Sequence, residues 1–223
     1  RTCSSRSRPT RTSSRGARRR TCQTSRSNGS MRALRRPAVA AGFWLFLLPA
    51  LFAGVLEVLA PLRLDELGAS GVAVGGAFLA AAAVEASLSP VVGRISDRRG
   101  RLTPIRAGLA GAVATALLMP LAGTAALSAA ALIAAVAALG TFWAPAMALV
   151  SDASEQAGLA QGLAFALSNL AWAGGHLIGG AGGGALAEAS ADAVPYVALA
   201  VLCGVTLAAV ARQPRRPSVV TRT

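Results

Sequence analysis

The chain has 223 residues, of which 54% are hydrophobic and 14% charged, with a formal net charge of +13. So few charges cannot cover a soluble domain of this size, and the composition fits a protein that crosses a membrane several times. The charge does not argue for nucleic-acid binding by the body of the protein: nine of the 22 basic residues, all arginine, fall in residues 1–30, which hold no acid.

Residues 1–30 are rich in Arg, Ser and Thr and too poor in apolar side chains to bury a core, so they read as a disordered tail. Three origins suit that composition: a transit peptide, a cytoplasmic linker, or a wrong-frame translation of GC-rich DNA with authentic sequence resuming near Met31. The chain begins with Arg, which is the basis for expecting a fragment. Cys3 and Cys22 lie in the tail and Cys203 in an apolar run, so neither a disulfide framework nor a metal site is expected, and no cofactor.

The membrane part is expected over residues 31–212, with a short tail at 213–223. Its first apolar run, about 39–59, follows Arg32, Arg35 and Arg36; the second is about 72–92. Each is close to the ~20 residues that span a hydrocarbon core. Next comes a dense charged turn, Gly93-Arg94-Ile95-Ser96-Asp97-Arg98-Arg99-Gly100-Arg101. Glycines at its two ends allow a bend, and Asp97 stands where it could pair with an arginine or cap a helix.

This turn resembles the signature loop of the major facilitator superfamily, in which Gly, then Asp-Arg, then Gly-Arg recur between two transmembrane helices. Gly93, Asp97, Arg98, Gly100 and Arg101 stand at matching positions, with Ile95 for the usual leucine. Arg99 stands where an aromatic is usual and Leu102 where a second basic residue is usual. The resemblance implies an all-α membrane protein whose six helices form one half of the family's fold. The Arg-rich approach to the first helix and the short basic end make it more like the C-terminal half. It further implies that Asp97, Arg98 and Arg101 latch the cytoplasmic side in one state of the transport cycle, Asp97 facing a helix end in the partner half. The alternative is a plain positive-inside anchor.

Four more apolar runs follow, at about 105–121, 125–150, 158–187 and 194–211. In lipid the backbone must satisfy its own hydrogen bonds, so all six runs are expected to be helices. Putting the N-terminus inside leaves Arg63 as the one arginine in an outer loop, which places both termini in the cytoplasm and the protein in the plasma (inner) membrane.

Ionisable groups within the runs are costly and need a reason to be there. Glu85, in the second run, could carry a coupling proton or simply hydrogen-bond a neighbouring helix. Glu57, with Pro61 and Arg63 following, is expected to reach interfacial water. In the fifth run Gln161, Phe165, Asn169, Trp172 and His176 are spaced 4, 4, 3 and 4 apart, on one helical face. Gln161, Asn169, Trp172 and His176 join Glu85 as candidates for a substrate or proton path, with Trp143 as a weaker one. His176 could titrate near neutral pH or be held by a hydrogen bond across helices. Gly175, Gly179 and Gly183 recur every fourth residue and suit close helix packing. The glycine string 179–184 also resembles a family antiporter motif, with Gly180 in place of its proline, a hint of efflux.

The expected function is therefore a secondary transporter, not an enzyme: proton-coupled efflux of a small molecule by a half-length chain. Its expected partners are a small-molecule substrate, the lipid bilayer, and either a missing N-terminal six-helix half or a second copy, with no nucleic acid. Two alternatives remain: a transport-inactive membrane fragment, or an intramembrane serine protease using Ser70 of the Gly68-Ala69-Ser70-Gly71 string with His176.

Overall fold

The computed structural model describes residues 37–212, so the expectations for residues 1–30, the start near Met31 and the tail at 213–223 lie outside the described residues. Within them the chain is all helix, with no strand. α1 is Pro37–Glu66, α2 Gly71–Arg99 and α3 Leu102–Leu118, which tightens into a 3-10 turn at Met119–Leu121. α4 is Ala125–Gln156, α5 Gln161–Leu177, then a π turn at Ile178–Gly182, α6 Gly183–Ala189 and α7 Ala193–Ala211.

Five of these rods, namely α1, α2, α3 with its 3-10 turn, α4 and α7, are long and apolar enough to cross a membrane. The sixth crossing is α5, the π turn and α6 together. The backbone at Leu177, Ile178, Gly182 and Gly183 stays right-handed helical, so the π turn interrupts the hydrogen-bond ladder without ending the rod. Six rods therefore stand where the sequence has six apolar runs.

The connections between them are short and chemically explicit. Gly68, Gly100 and Gly158 have φ of 79°, 84° and 73°, a left-handed region that a Cβ disfavours, and they sit between α1 and α2, α2 and α3, and α4 and α5. Ser70 and Thr124 cap α2 and α4: their hydroxyls accept from the backbone N–H of Ala73 and Leu127.

The signature turn is shorter than the sequence suggests. α2 stays helical through Arg99, leaving Gly100-Arg101 as the whole connection. Gly93 is thus an ordinary helical residue rather than one end of a bend. Asp97 lies in the last turn of α2 and caps nothing, while Arg101, the residue before α3, offers no side-chain cap. The reason is local. Arginine is a good helix former, and Arg98 and Arg99 face the negative end of the helix dipole, so nothing stops α2 where its apolar run ends.

α1 and α4 form the centre of the bundle. α1 packs on α4 and α5, α4 also holds α2 and α3, and α3 carries α7 on its far side. The core between them is apolar, with Leu48, Phe52 and Leu56 of α1 meeting Leu132, Ala135 and Phe142 of α4 and Ile105 and Leu109 of α3. Two polar contacts tie on α7: the Trp44 indole N–H donates to the Thr206 hydroxyl at 3.0 Å, and Arg106 donates to the Val210 carbonyl at 2.9 Å.

Candidate functional site

α1, α2, α4 and α5 line an open cavity of about 330 Å³. Helical periodicity supplies its walls. Phe78, Ala81, Ala82 and Glu85 recur on one face of α2; Val136, Leu139, Gly140 and Trp143 do so on α4. α1 adds Pro49, Ala53, Leu56 and Glu57, and α5 adds Trp172 and His176.

Two features dominate this cavity. One is an aromatic cluster: Trp143 and Trp172 meet edge to face at 5.9 Å between centroids, Phe46 stacks behind Trp143 at 6.1 Å, and the His176 ring lies 5.4 Å from Trp172. The other is its set of ionisable groups. His176 Nε2 lies 2.8 Å from Glu57 Oε2, a contact from α5 to α1 across 119 positions of sequence. It is an ion pair when the imidazole is protonated and a hydrogen bond when it is not. Glu85 faces the same space from α2 and has no ion-pair partner among the described residues. Its side chain lies across Gly140: a Cβ there would stand 2.7 Å from Glu85 Cγ, so the bare backbone of α4 is what leaves the carboxylate room.

The Glu57–His176 contact rests on a seam of small residues. A Cβ at Gly175 would stand 2.8 Å from Ala50 Cβ, and one at Gly183 2.8 Å from Val55 Cγ2. At Gly179 it would overlap the Leu51 carbonyl oxygen, and at Gly54 of α1 the His176 carbonyl oxygen. The α1 and α5 backbones are therefore close enough for a glutamate on one to reach a histidine on the other.

The polar stripe of α5 divides. Trp172 and His176 line the cavity, whereas Gln161 sits at the start of α5 and exchanges contacts of 3.3 and 3.4 Å with Ser151 of α4. Phe165 and Asn169 are exposed and do not line the cavity. At the signature turn, Arg101 reaches α4, where it donates to the Ala148 carbonyl at 2.9 Å and pairs with Asp152. Asp97 and Arg98 make no ion pair among the described residues. Ser70 is the N-cap of α2 and lies outside the cavity lining, and His176 is paired with a carboxylate instead of a serine.

Sequence reasoning placed Glu57 at interfacial water, which its 60% exposed side chain allows, but did not foresee its contact with His176 and did not single out Gly140 or Asp152. Glu57 had a signal, being a carboxylate in an apolar run, but its proximity to Pro61 and Arg63 pointed to interfacial water. Gly140 and Asp152 had none, because their roles exist only against residues of other helices.

A family model described as Major Facilitator Superfamily matches residues 4–176. The chain belongs to the Major Facilitator Superfamily. The matched stretch takes in the signature turn and every residue lining the cavity, ending at His176 itself. No curated protein matches the chain. Membership makes it a membrane transporter of the facilitator type and, at the level of the family, not an enzyme. The family's six-helix unit accounts for the rods described above.

Proposed function

We propose that this facilitator is a proton-coupled exporter of a small amphipathic molecule. It sits in the plasma (inner) membrane with both termini in the cytoplasm, and it works as one six-helix half whose cavity is completed by an N-terminal half or a second copy. The observation that carries the coupling is the shared cavity of Glu57, His176 and Glu85. Glu85 holds a charge or a proton according to which side the cavity faces. Substrate and proton exclude one another there, because each neutralises the same carboxylate. The Glu57–His176 contact keeps the α1–α5 wall in register while α2 changes state. The orientation follows from the arginines at positions 94–106 and 212 at one end of the rods, against Arg63 at the other.

At the inner end, Arg101 clips the α2–α3 connection to α4, leaving Asp97 and Arg98 to engage the second unit as the latch. Export without proton coupling would leave Glu85 without a task.

Proteoliposomes carrying the chain with its completing unit test this reading. A proton gradient is expected to drive substrate accumulation. Glu85→Gln should abolish the gradient's effect, roughly a hundredfold loss, and weaken substrate–substrate exchange by a smaller factor, because the same carboxylate also meets the substrate. Asp97→Ala is expected to stop both modes with insertion intact. Gradient-driven accumulation that survives Glu85→Gln would remove Glu85 from the coupling path.

A further inference from the structure

The geometry points to flat aromatic monocations as the substrate class of this cavity, with Glu85 as their counter-ion and the Trp143–Trp172 pair as the surface that holds the charged ring. The inference rests on the carrier reading above and narrows it.

The argument begins with the charges in the lining. Its ionisable groups are Glu57, Glu85 and His176, and no arginine faces the space. His176 answers Glu57 at 2.8 Å, whereas nothing among the described residues answers Glu85. A carboxylate facing an apolar chamber inside a membrane is expensive to keep charged. A cationic guest removes that cost, an anionic guest adds to it, and a neutral guest leaves it unchanged.

Hydrogen-bonding capacity narrows the class further. Among the described residues no hydroxyl, amide or guanidinium lines this unit's share of the cavity, and its side-chain N–H donors are two indoles and one imidazole. Sugars would leave most of their hydroxyls unpaired there, and the carboxylate of a zwitterionic amino acid would find no cation beyond the imidazole already shared with Glu57. Aromatic surface is what the walls do offer. Trp143 and Trp172 meet at 66°, so the face of one ring stands beside the edge of the other, and Phe78 adds a third ring to the lining from α2. Indole is the best of the side-chain faces for a cation. This unit's share of the cavity, about 330 Å³, already has room for a bicyclic ring beside the two indoles.

The test uses three bicyclic probes of similar outline and different charge: N-methylquinolinium, 1-methylnaphthalene and 1-naphthoate. They are titrated into the full chain in detergent micelles, with tryptophan fluorescence as the readout. The cation is expected to bind saturably and about tenfold tighter than the neutral ring, and the anion not at all. Glu85→Gln should erase the cation's advantage and leave binding of the neutral ring intact, which also shows that the variant is folded. Glu85→Asp should restore part of the advantage. Trp172→Phe is expected to weaken the cation severalfold less than Trp172→Leu does. Equal binding of cation and anion, or a cation preference that survives Glu85→Gln, overturns the inference. Proteoliposomes carrying the chain with its completing unit keep the two claims apart: transport of naphthoate but not of methylquinolinium sinks the cation class and leaves the exporter, whereas cation binding with no gradient-driven transport of any probe leaves the site and sinks the proton-coupled export reading.

Discussion

α1 and α2 are rods of 30 and 29 residues, and each places one glutamate in the same cavity. They are embedded in opposite ways. Of its most apolar stretch, α1 has 61% buried and α2 only 11%. The only residues α2 buries are Ala77, Ala81 and Val92, while Val72 and Leu79 stand outward. The glycines differ in the same sense. Gly54 of α1 is pressed against the backbone of α5, but Gly75, Gly76 and Gly93 of α2 have open space where a side chain would be. So does the chemistry: Glu57 on the buried rod is held by His176, and Glu85 on the exposed rod is unpaired among the described residues. α1 is the fixed wall of the cavity and α2 the wall with least to hold it. Composition alone could not have said which would be which.

The harshest way to break this contrast is to add bulk on the buried side. Gly179→Val would push a branched side chain into the Leu51 carbonyl, and a backbone atom has no rotamer with which to escape. A cost of about 3 kcal/mol is expected, the upper end for overpacking. Reversible unfolding in mixed micelles measures it. The Glu57–His176 contact should be lost together with the seam, so transport falls even in the fraction that remains folded. A Gly179→Val protein of unchanged stability would mean that α1 and α5 are not in contact as described.

A smaller effect is expected at the signature turn, where the little-buried α2 turns into α3. Arg101 makes two contacts there, with the Ala148 carbonyl and with Asp152. The ion pair is half in the open, its side chains 36% and 50% exposed, so its coupling should be about 0.5 kcal/mol and should shrink in salt. Removing Arg101 also removes the bond to Ala148, so Arg101→Ala should cost about 1 kcal/mol more than Asp152→Ala. A double-mutant cycle separates the two contributions. A coupling near 3 kcal/mol would show that the turn is clamped far more firmly than its exposure implies.

Much of the fold was legible because lipid imposes a length on every crossing. Six apolar runs of the right span had to be six helices, and Gly100 and the arginines around it marked the turn. What the runs could not show was where a helix stops once it has left the apolar region. α2 therefore continues through Asp97 and Arg98 to Arg99, and α4 continues to Gln156. The π turn was hidden too, because a glycine string permits α and π ladders alike. In the site, the i, i+4 spacing of Trp172 and His176 was visible, since it depends on one helix only. The Glu57–His176 contact was not, since it depends on how closely two helices approach. The stripe of α5 was read as a single face, yet the groove beside α1 and α4 takes only its C-terminal half, with Asn169 not in the lining and Gln161 on Ser151.

The mildest change sharpens the contrast from its other side. Gly75→Val adds the same side chain as Gly179→Val, in the second turn of α2, where valine is a slightly better helix former than glycine. No atom stands within 4 Å of the position the new Cβ would take. The stability of the isolated chain should therefore change by no more than about 0.5 kcal/mol, and in the favourable direction. Glycines are nonetheless an odd choice for a face that meets only lipid, where any aliphatic residue would serve. If that face of α2 instead meets the second six-helix unit, Gly75→Val will leave the unfolding curve where it was and weaken assembly and transport together. Measuring both on one variant separates a rod that faces lipid from a rod that waits for its partner.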